Sequence, residues 1–470
     1  MTFVSILLVL IALIWAQVGV ILLLEARYPA RCAAWVLVQL PLPVLGLLVY
    51  AGFGRRMPST SEARKPRIPD PIPEHANPDQ LERLLTLAPS YPIQEEQEPV
   101  LINRVDETFE RILADMAKAR RTIDFLLYIY RDDEIGTIFT EQLEKKAREG
   151  LQVRLLLDGS GSRELPAAFL TRLKEAGVQV AKHNPLVRAL FKGKLNFRNH
   201  RKLFLIDEQI GYVGGLNVGD EYLGGNAHLG YWRDSTIRLE GEPLLFLTRL
   251  FQQDWVRAHG QESPEAVREL VSPVDDEGVG SAHDEEGSGR IFLLAGSPEF
   301  TLSPLYQLFL ASLASARKRI YIASPYFVPD EAVWTALATA AAAGVEVRVL
   351  LPEIADYKII HYAGLSYAAE LAAQGVQFHL YQKGFLHQKT LLIDDRLAGI
   401  GTFNLDQQSF YQNYDLHVFL TGKQAVARME QAFEKDLMEC RDFDLAAYLS
   451  DRPLGKRLLE TGCRLLGPLL

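Results

Sequence analysis

Asn199-His200-Arg201-Lys202-Leu203-Phe204-Leu205-Ile206-Asp207 and His387-Gln388-Lys389-Thr390-Leu391-Leu392-Ile393-Asp394 are two copies of one pattern, His-x-Lys-x4-Asp. Each is followed by glycine and asparagine: Gly214-Gly215-Leu216-Asn217 after the first, Gly401-Thr402-Phe403-Asn404 after the second. One such pattern arises by chance on the order of a few hundredths of a time per chain. Two with matched downstream residues mark a duplication. In each copy the motif runs into an apolar strand, and period-2 alternation puts His200 and Lys202 on one face, as it does His387 and Lys389.

The repeat extends through both flanks. Ile123 to Tyr130 leads to Asp133-Glu134, a helical stretch ending at Gly150, and a strand-like run through Leu157. Ile320 to Phe327 leads to Asp330-Glu331, an Ala-rich helical stretch, and Gly344 to Leu351. Each half then passes through a helix to Gly-Val-Gln (Gly177 to Gln179, Gly375 to Gln377) and a strand before its motif. Alternating strand and helix patterns predict α/β halves with parallel sheets covered by helices. The Gly-rich Asp158-Gly159-Ser160-Gly161-Ser162 lacks the Gly-Lys-Thr/Ser of a phosphate loop and reads as a strand-end turn.

A hydrophobic content of 48% with 23% charged residues suits a globular protein with a buried core. The net charge of −9 argues against a protein that coats nucleic acid, because that needs many phosphates neutralised. Cys32, Cys440 and Cys463 are too scattered for a disulfide framework or a zinc site and point to a reducing compartment.

Val4 to Leu24 carries no charge and is long enough as a helix to cross the hydrocarbon core. Ala33 to Phe53 is a second uncharged run that Pro41 and Pro43 would kink, with a re-entrant hairpin as the alternative to a span. Arg27 and Arg31 lie between the runs, whereas Arg55, Arg56, Arg64, Lys65 and Arg67 follow them, which predicts both ends on the cytoplasmic side. The expected organisation is a membrane hairpin over 1–56 (spans about 4–24 and 33–53), a Pro- and acid-rich linker over 57–99, a first half over 100–258, an acidic linker over 259–290 and a second half over 291–470. Basic and apolar residues mix in Leu186 to Arg198, just before the first motif, and again in the C-terminal Arg452 to Leu470. Both stretches suit either a membrane interface or an ordinary surface.

If the halves pair about a pseudo-twofold axis, both motifs meet in one site. One imidazole can attack phosphorus while the other protonates the departing oxygen, giving two displacements through a phospho-histidine. Lys202, Lys389, Asn217 and Asn404 can hold the phosphate oxygens, with no metal or cofactor required. A nucleophilic His needs a carboxylate on its other nitrogen, and each half offers one: Asp234 in Trp232-Arg233-Asp234 and Asp415 in Asn413-Tyr414-Asp415. Which half supplies which stays open. Asp207 and Asp394 belong to the catalytic motif, but their position favours a structural role at the turn.

These residues carry a family resemblance. The motif pair resembles the phospholipase D superfamily. More narrowly, Phe197 to Lys202, Gly214 to Tyr222, Trp232 to Asp234 and Gly401 to Asp406, with Trp35, Pro41, Pro43, Gly46 and Tyr50 near the N-terminus, look like bacterial cardiolipin synthases. The resemblance implies two phospholipase D-like α/β/α halves about a pseudo-twofold axis, preceded by two transmembrane helices, in the inner cell membrane. It implies transfer of a phosphatidyl group between two phosphatidylglycerol molecules, with His200 as nucleophile and His387 as acid and then base. Asn413-Tyr414-Asp415 departs from the family's usual Asn-Phe-Glu. A membrane-bound phospholipase D that hydrolyses its substrate is the near alternative; a nuclease and an inactive lipid-binding protein are more distant ones.

Overall fold

The computed structural model describes residues 3–25, 29–40, 43–54, 80–85, 88–185, 196–260, 289–300, 302–450 and 452–469. The stretch 186–195 ahead of the first motif, 57–79 of the 57–99 linker and 261–288 of the acidic linker lie outside the described residues.

The first sheet has seven strands in the spatial order Val100–Ile102, Thr236–Glu240, Ile210–Gly214, Leu203–Ile206, Thr122–Leu127, Gln152–Asp158, Gln179–His183. The second repeats that order as Arg290–Ala295, Leu416–Leu420, Leu397–Gly401, Thr390–Ile393, Arg319–Ala323, Glu346–Pro352, Gln377–Tyr381, with Ser90–Pro92 and Cys440–Asp442 added at its edges. The duplication is thus a duplication of topology. The expected parallel sheets are mixed instead: the strands joined by helices run parallel, while each motif strand is antiparallel to both neighbours. The cause is local. After Ile206 the chain turns back at once to Ile210, and after Ile393 to Leu397, and so short a connection permits only antiparallel pairing.

The repeated Asp-Glu pairs start matching helices. Asp133 caps Glu134–Arg148 by accepting from the Gly136 N–H, and Asp330 caps Glu331–Ala342 by accepting from the Val333 N–H. Each cap contributes about 1 kcal/mol. Lys145, Lys146 and Arg148 in the last turn of the first helix add a favourable interaction with its dipole.

Alternation along the motif strands divides the core. Phe204 and Ile206 pack outward with Phe125 and Phe139, whereas Leu203 and Leu205 face a central cluster shared with Leu293, Leu392, Leu416 and Val418 of the second half. Full burial of such a side chain is worth about 1.5–3 kcal/mol, so this shared cluster fixes the two halves on one another. Folding also begins earlier than expected: residues assigned above to the 57–99 linker form helix Gln80–Leu85 and strand Ser90–Pro92, and Leu81, Leu85 and Tyr91 are buried.

At the N-terminus, Phe3–Glu25 is one helix, but the second expected run is two helices of 11 residues, Pro29–Gln39 and Pro43–Phe53. Pro43 opens the second of them; proline lacks the N–H and clashes with the preceding turn in a helix interior, so a continuous span is broken there. Each piece is about 16 Å long at 1.5 Å per residue, roughly half the hydrocarbon thickness. Among the described residues, which leave out the side chains of 6–10, no helix is long and apolar enough to cross a membrane. Arg31, counted above as a loop charge, is buried in this bundle, with its Nε 3.3 Å from the Glu25 carboxylate. Helix Leu454–Leu466 buries Glu460 and Cys463 and exposes Leu454, Leu458, Leu459 and Leu465.

Candidate active site

Each motif histidine is strapped to the half that does not contain it. His200 N–H donates to the Tyr414 carbonyl at 2.9 Å, and Tyr414 N–H donates to the Arg198 carbonyl at 2.9 Å. In the pseudo-equivalent place His387 N–H donates to the Arg233 carbonyl at 2.8 Å, where strand Gly384–Leu386 pairs with Tyr231–Arg233. Tyr414 and Arg233 immediately precede the two candidate orienting carboxylates, and the consequence is reciprocal. His200 Nδ1–H donates to Asp415 Oδ1 at 3.0 Å, and His387 Nδ1–H donates to Asp234 Oδ2 at 2.7 Å. The pairing left open by the sequence is therefore crossed, and each half is incomplete alone.

The crossed bonds hold Nδ1 and leave Nε2 of each ring for chemistry. Burial, followed by the Lys202 charge, lowers the His200 pKa to about 4; burial, followed by the Lys389 charge, lowers that of His387 to about 3. Both rings rest neutral at pH 7. Lys389 also acts on His200, and Lys202 on His387, so the two motifs face one centre. Lys202 Nζ donates to its own His200 carbonyl at 2.8 Å, and Lys389 Nζ donates to the His387 carbonyl. An ammonium has three N–H bonds, and the remaining ones can clamp phosphate oxygens. Burial lowers the Lys389 pKa to about 8, and burial with the neighbouring Lys389 charge lowers Lys202 well below the ordinary range.

The glycines after the motifs permit this closeness. A Cβ on Gly215 would overlap the Asp234 carboxylate, and one on Gly401 would overlap the Leu416 carbonyl. At the place matching Gly215 the second half has Thr402, whose Oγ1–H donates to Asp415 Oδ1 at 2.6 Å.

The two asparagines are not equivalent. Asn217 Oδ1 accepts from the Ile129 N–H at 2.9 Å and its Nδ2 donates to Tyr222 Oη at 2.9 Å, leaving one N–H for a ligand. Asn404 Oδ1 is buried without a partner among the described residues.

Asp207 and Asp394, although members of the catalytic motif, are turn anchors, the role their position favours. Asp207 has φ +55° and accepts from the backbone N–H groups of Arg120, Arg121 and Thr122 at 2.9, 2.7 and 2.9 Å. Asp394, at φ +51°, takes Arg317, Lys318 and Arg319 at 3.0, 2.7 and 2.9 Å. Burial raises the Asp207 pKa, but the backbone donors outweigh it and hold the carboxyl below its ordinary value. Neither carboxylate touches a motif His or Lys. Asp158 likewise closes the Gly-rich turn, accepting from the Ser160, Gly161 and Asn199 N–H groups.

Sequence reasoning missed the supports behind the motifs. Arg201, the x of the first motif, pairs with Asp254 at 2.5 Å, and Asn199 Nδ2 donates to the same carboxylate at 3.0 Å. In the second half Gln388 Nε2 donates to Asp436 at 2.8 Å, beside Arg233 at 2.6 Å. A signal was present: Phe251-Gln252-Gln253-Asp254 and Phe433-Glu434-Lys435-Asp436 are one more repeat, Phe-x-x-Asp, on helices Pro243–Ala258 and Lys423–Leu437. Also missed were the rings on the histidines, Tyr128 at 5.2 Å from His200, and Trp232 and Phe385 at 4.9 and 5.8 Å from His387.

A duplicated mixed sheet that joins two His-Lys pairs through crossed carboxylates defines a phospholipase D-like phosphodiester-exchanging enzyme. A family model described as cardiolipin synthase, PLD-like domain, matches residues 112–255 and 309–437. The chain is 36% identical to a cardiolipin synthase of Geobacillus kaustophilus, with 96% of this chain and 91% of that one covered. It is 35% identical to cardiolipin synthase 2 of Bacillus anthracis, over 96% and 89% of the two chains. The chain belongs to the cardiolipin synthase family of the phospholipase D superfamily, and it is a phosphatidyltransferase. The fold is also that of a phosphatidylserine synthase from Haemophilus influenzae, with a TM-score of 0.66 at 15% identity over 83% of this chain and 99% of that one.

Proposed function

We propose that this enzyme transfers a phosphatidyl group from one phosphatidylglycerol to another, giving cardiolipin and glycerol, with His200 as nucleophile. The observation that carries the reading is the reciprocal pair His200–Asp415 and His387–Asp234. A neutral imidazole to attack phosphorus and a second, carboxylate-backed imidazole to carry the proton are what a double displacement needs.

In the first step His200 Nε2 forms a bond to phosphorus as the bond to the headgroup oxygen breaks. For His387 to give that oxygen a proton it must first take one up, on Nε2, and the Asp234 carboxylate at 2.7 Å stabilises the imidazolium. In the second step His387 removes the proton from the incoming hydroxyl, whose oxygen attacks phosphorus, and the bond to His200 breaks. Lys202, Lys389 and the amides of Asn217 and Asn404 stabilise negative charge on the non-bridging oxygens throughout.

The substrate is a lipid, and in this reading the reaction runs at the inner membrane with the catalytic halves on the cytoplasmic side. Support comes from the uncharged Val4 to Leu24 run and from exposed Trp15, Leu23, Leu24, Leu45 and Leu48 on the N-terminal helices, a concentration of apolar surface that water disfavours. Phe3–Glu25 is the spanning segment in this reading, and the 29–53 pair is a shallower hairpin beside it. The test is incubation of the full-length protein with phosphatidylglycerol vesicles, resolving lipids and released alcohol. Cardiolipin with equimolar glycerol supports transfer, whereas phosphatidic acid as the only new lipid overturns it in favour of hydrolysis.

A further inference from the structure

One cluster in the second half, around Tyr326 and Asp356, has no task in the two displacements above. Tyr326 lies just beyond strand Arg319–Ala323, and its Oη–H donates to Asp356 Oδ2 at 2.5 Å. Asp356 sits on the connection from strand Glu346–Pro352 to helix Lys358–Ala372, and its Oδ1 accepts from the Tyr357 N–H at 2.7 Å. The same connection sends Ile354 across to the first half, into the apolar cluster that holds Trp232 and Phe385, the rings against His387. The Asp356 carboxylate faces the centre closely enough for its charge to act on Lys389, the lysine of the His387 motif.

Comparison of the halves isolates this feature. The bridges Tyr130 to Val218 and Phe327 to Leu405 are pseudo-equivalent, so Tyr326 occupies the place of Ile129. In the first half Ile129 has no polar side chain, and its backbone N–H donates to the Asn217 Oδ1. In the second half Asn404, 3% exposed, keeps its Oδ1 unpartnered among the described residues. The carboxylate at the end of the matching first-half strand, Asp158, is occupied by three backbone N–H groups. Acceptor capacity therefore accumulates on one side of a site whose two motifs are otherwise alike. Carboxylate, amide and phenol oxygens repel the non-bridging oxygens of a phosphodiester, and the ligand chemistry they suit is a group of hydroxyl donors.

We propose that Asp356, Tyr326 and the Asn404 Oδ1 form a polyol subsite that takes the free hydroxyls of the glycerol headgroup and so selects a glycerol-bearing acceptor over water and simple alcohols. The proposal rests on the transfer reaction argued above and names its specificity element. One hydroxyl held by Asp356 brings the neighbouring primary hydroxyl to His387, while the Asn404 Nδ2 stays available to the phosphate. Water and monohydric alcohols reach the same phosphorus without the second contact.

The test supplies the full-length enzyme with phosphatidylglycerol vesicles and two competing isotope-labelled acceptors, glycerol and 1-propanol. Label entering phosphatidylglycerol is compared with label entering phosphatidylpropanol. Loss of a hydrogen bond to a charged group corresponds to about 10–100-fold in a rate ratio. Asp356→Asn is expected to lower the glycerol to 1-propanol ratio by about tenfold or more, Tyr326→Phe to lower it by less, and Asp356→Glu to restore part of it. The remaining propanol product reports that the variants are folded. A ratio unchanged in Asp356→Asn, with both products falling in parallel, overturns the subsite. A wild-type enzyme that labels neither lipid and yields only phosphatidic acid overturns the transfer reading itself, and the subsite with it.

Discussion

Replacing Asp415 by Asn removes one charge and changes almost no volume. The carboxylate is fully buried, it receives His200 Nδ1–H at 3.0 Å and Thr402 Oγ1–H at 2.6 Å, and no other described carboxylate bonds His200. The amide oxygen introduced by Asp415→Asn can still accept from Nδ1–H, so the ring keeps its place while the counter-charge is gone. His200 acquires positive character as it bonds phosphorus, and a charge-assisted hydrogen bond is worth about 1.5–3 kcal/mol, or about 10–150-fold in rate at 1.4 kcal/mol per tenfold. If the amide instead turns its NH2 toward Nδ1, the wrong tautomer is enforced and the loss is larger. The assay is rapid quenching of the full-length enzyme with radiolabelled phosphatidylglycerol. The adduct-forming burst should slow by at least tenfold, with the melting temperature within a few degrees of wild type. A burst rate within twofold of wild type would refute the reasoning, because the crossed carboxylate would then contribute nothing to the nucleophile.

Further expectations follow from the same geometry. The pH profile should show activity retained well below pH 6.5, because burial holds His200 neutral down to about 4, and lost as pH rises through about 8, where Lys389 gives up its charge. Stability should fall over the acid part of that range: the unfolded histidines take up protons near 6.5 while His200 and His387 in the folded protein do not until about 4 and 3, so the unfolded state gains protons first. Circular-dichroism melts and initial rates between pH 4 and 9 check both. Asp207→Ala or Asp394→Ala should lower stability by about 2–4 kcal/mol through three unmade backbone bonds, with kcat changed by less than about threefold in the surviving folded fraction; a thousandfold loss of kcat in a fully folded variant would return them to the chemistry. Removing residues 1–79 should abolish sedimentation with membranes while adduct formation on detergent-dispersed lipid persists.

The residue types gathered at the centre were legible because they recur in both halves: a His and a Lys two apart on a strand, an Asn three residues after a Gly, and an Asp further downstream. The repeat of strand and helix order was legible for the same reason, since each half must satisfy the same sheet. The crossing of Asp234 to His387 and Asp415 to His200 was not, because local spacing says nothing about which of two equivalent halves a side chain meets. Asp254 and Asp436 escaped notice as two acids on ordinary amphipathic helices; only alignment of the halves makes Phe-x-x-Asp a repeat. The antiparallel motif strands were hidden by a pattern that looked like strand and helix alternation throughout. Pro41 and Pro43 make a hairpin legible as an alternative to a span, yet the buried Arg31–Glu25 pair that closes the helices depends on tertiary contact. Residues 80–92 read as linker by composition because three apolar anchors, Leu81, Leu85 and Tyr91, carry little periodicity.

Identification of the covalent intermediate tests the double displacement at its first step. Full-length enzyme is quenched in alkali during turnover of radiolabelled phosphatidylglycerol, and the labelled peptide is sequenced. A double displacement through His200 gives an acid-labile phosphatidyl adduct on His200, absent in His200→Ala and accumulating in His387→Ala variants that form it slowly. Label on His387 that persists in His200→Ala would contradict the assignment, and cardiolipin formed at the wild-type rate with no adduct at either residue would contradict the double displacement itself.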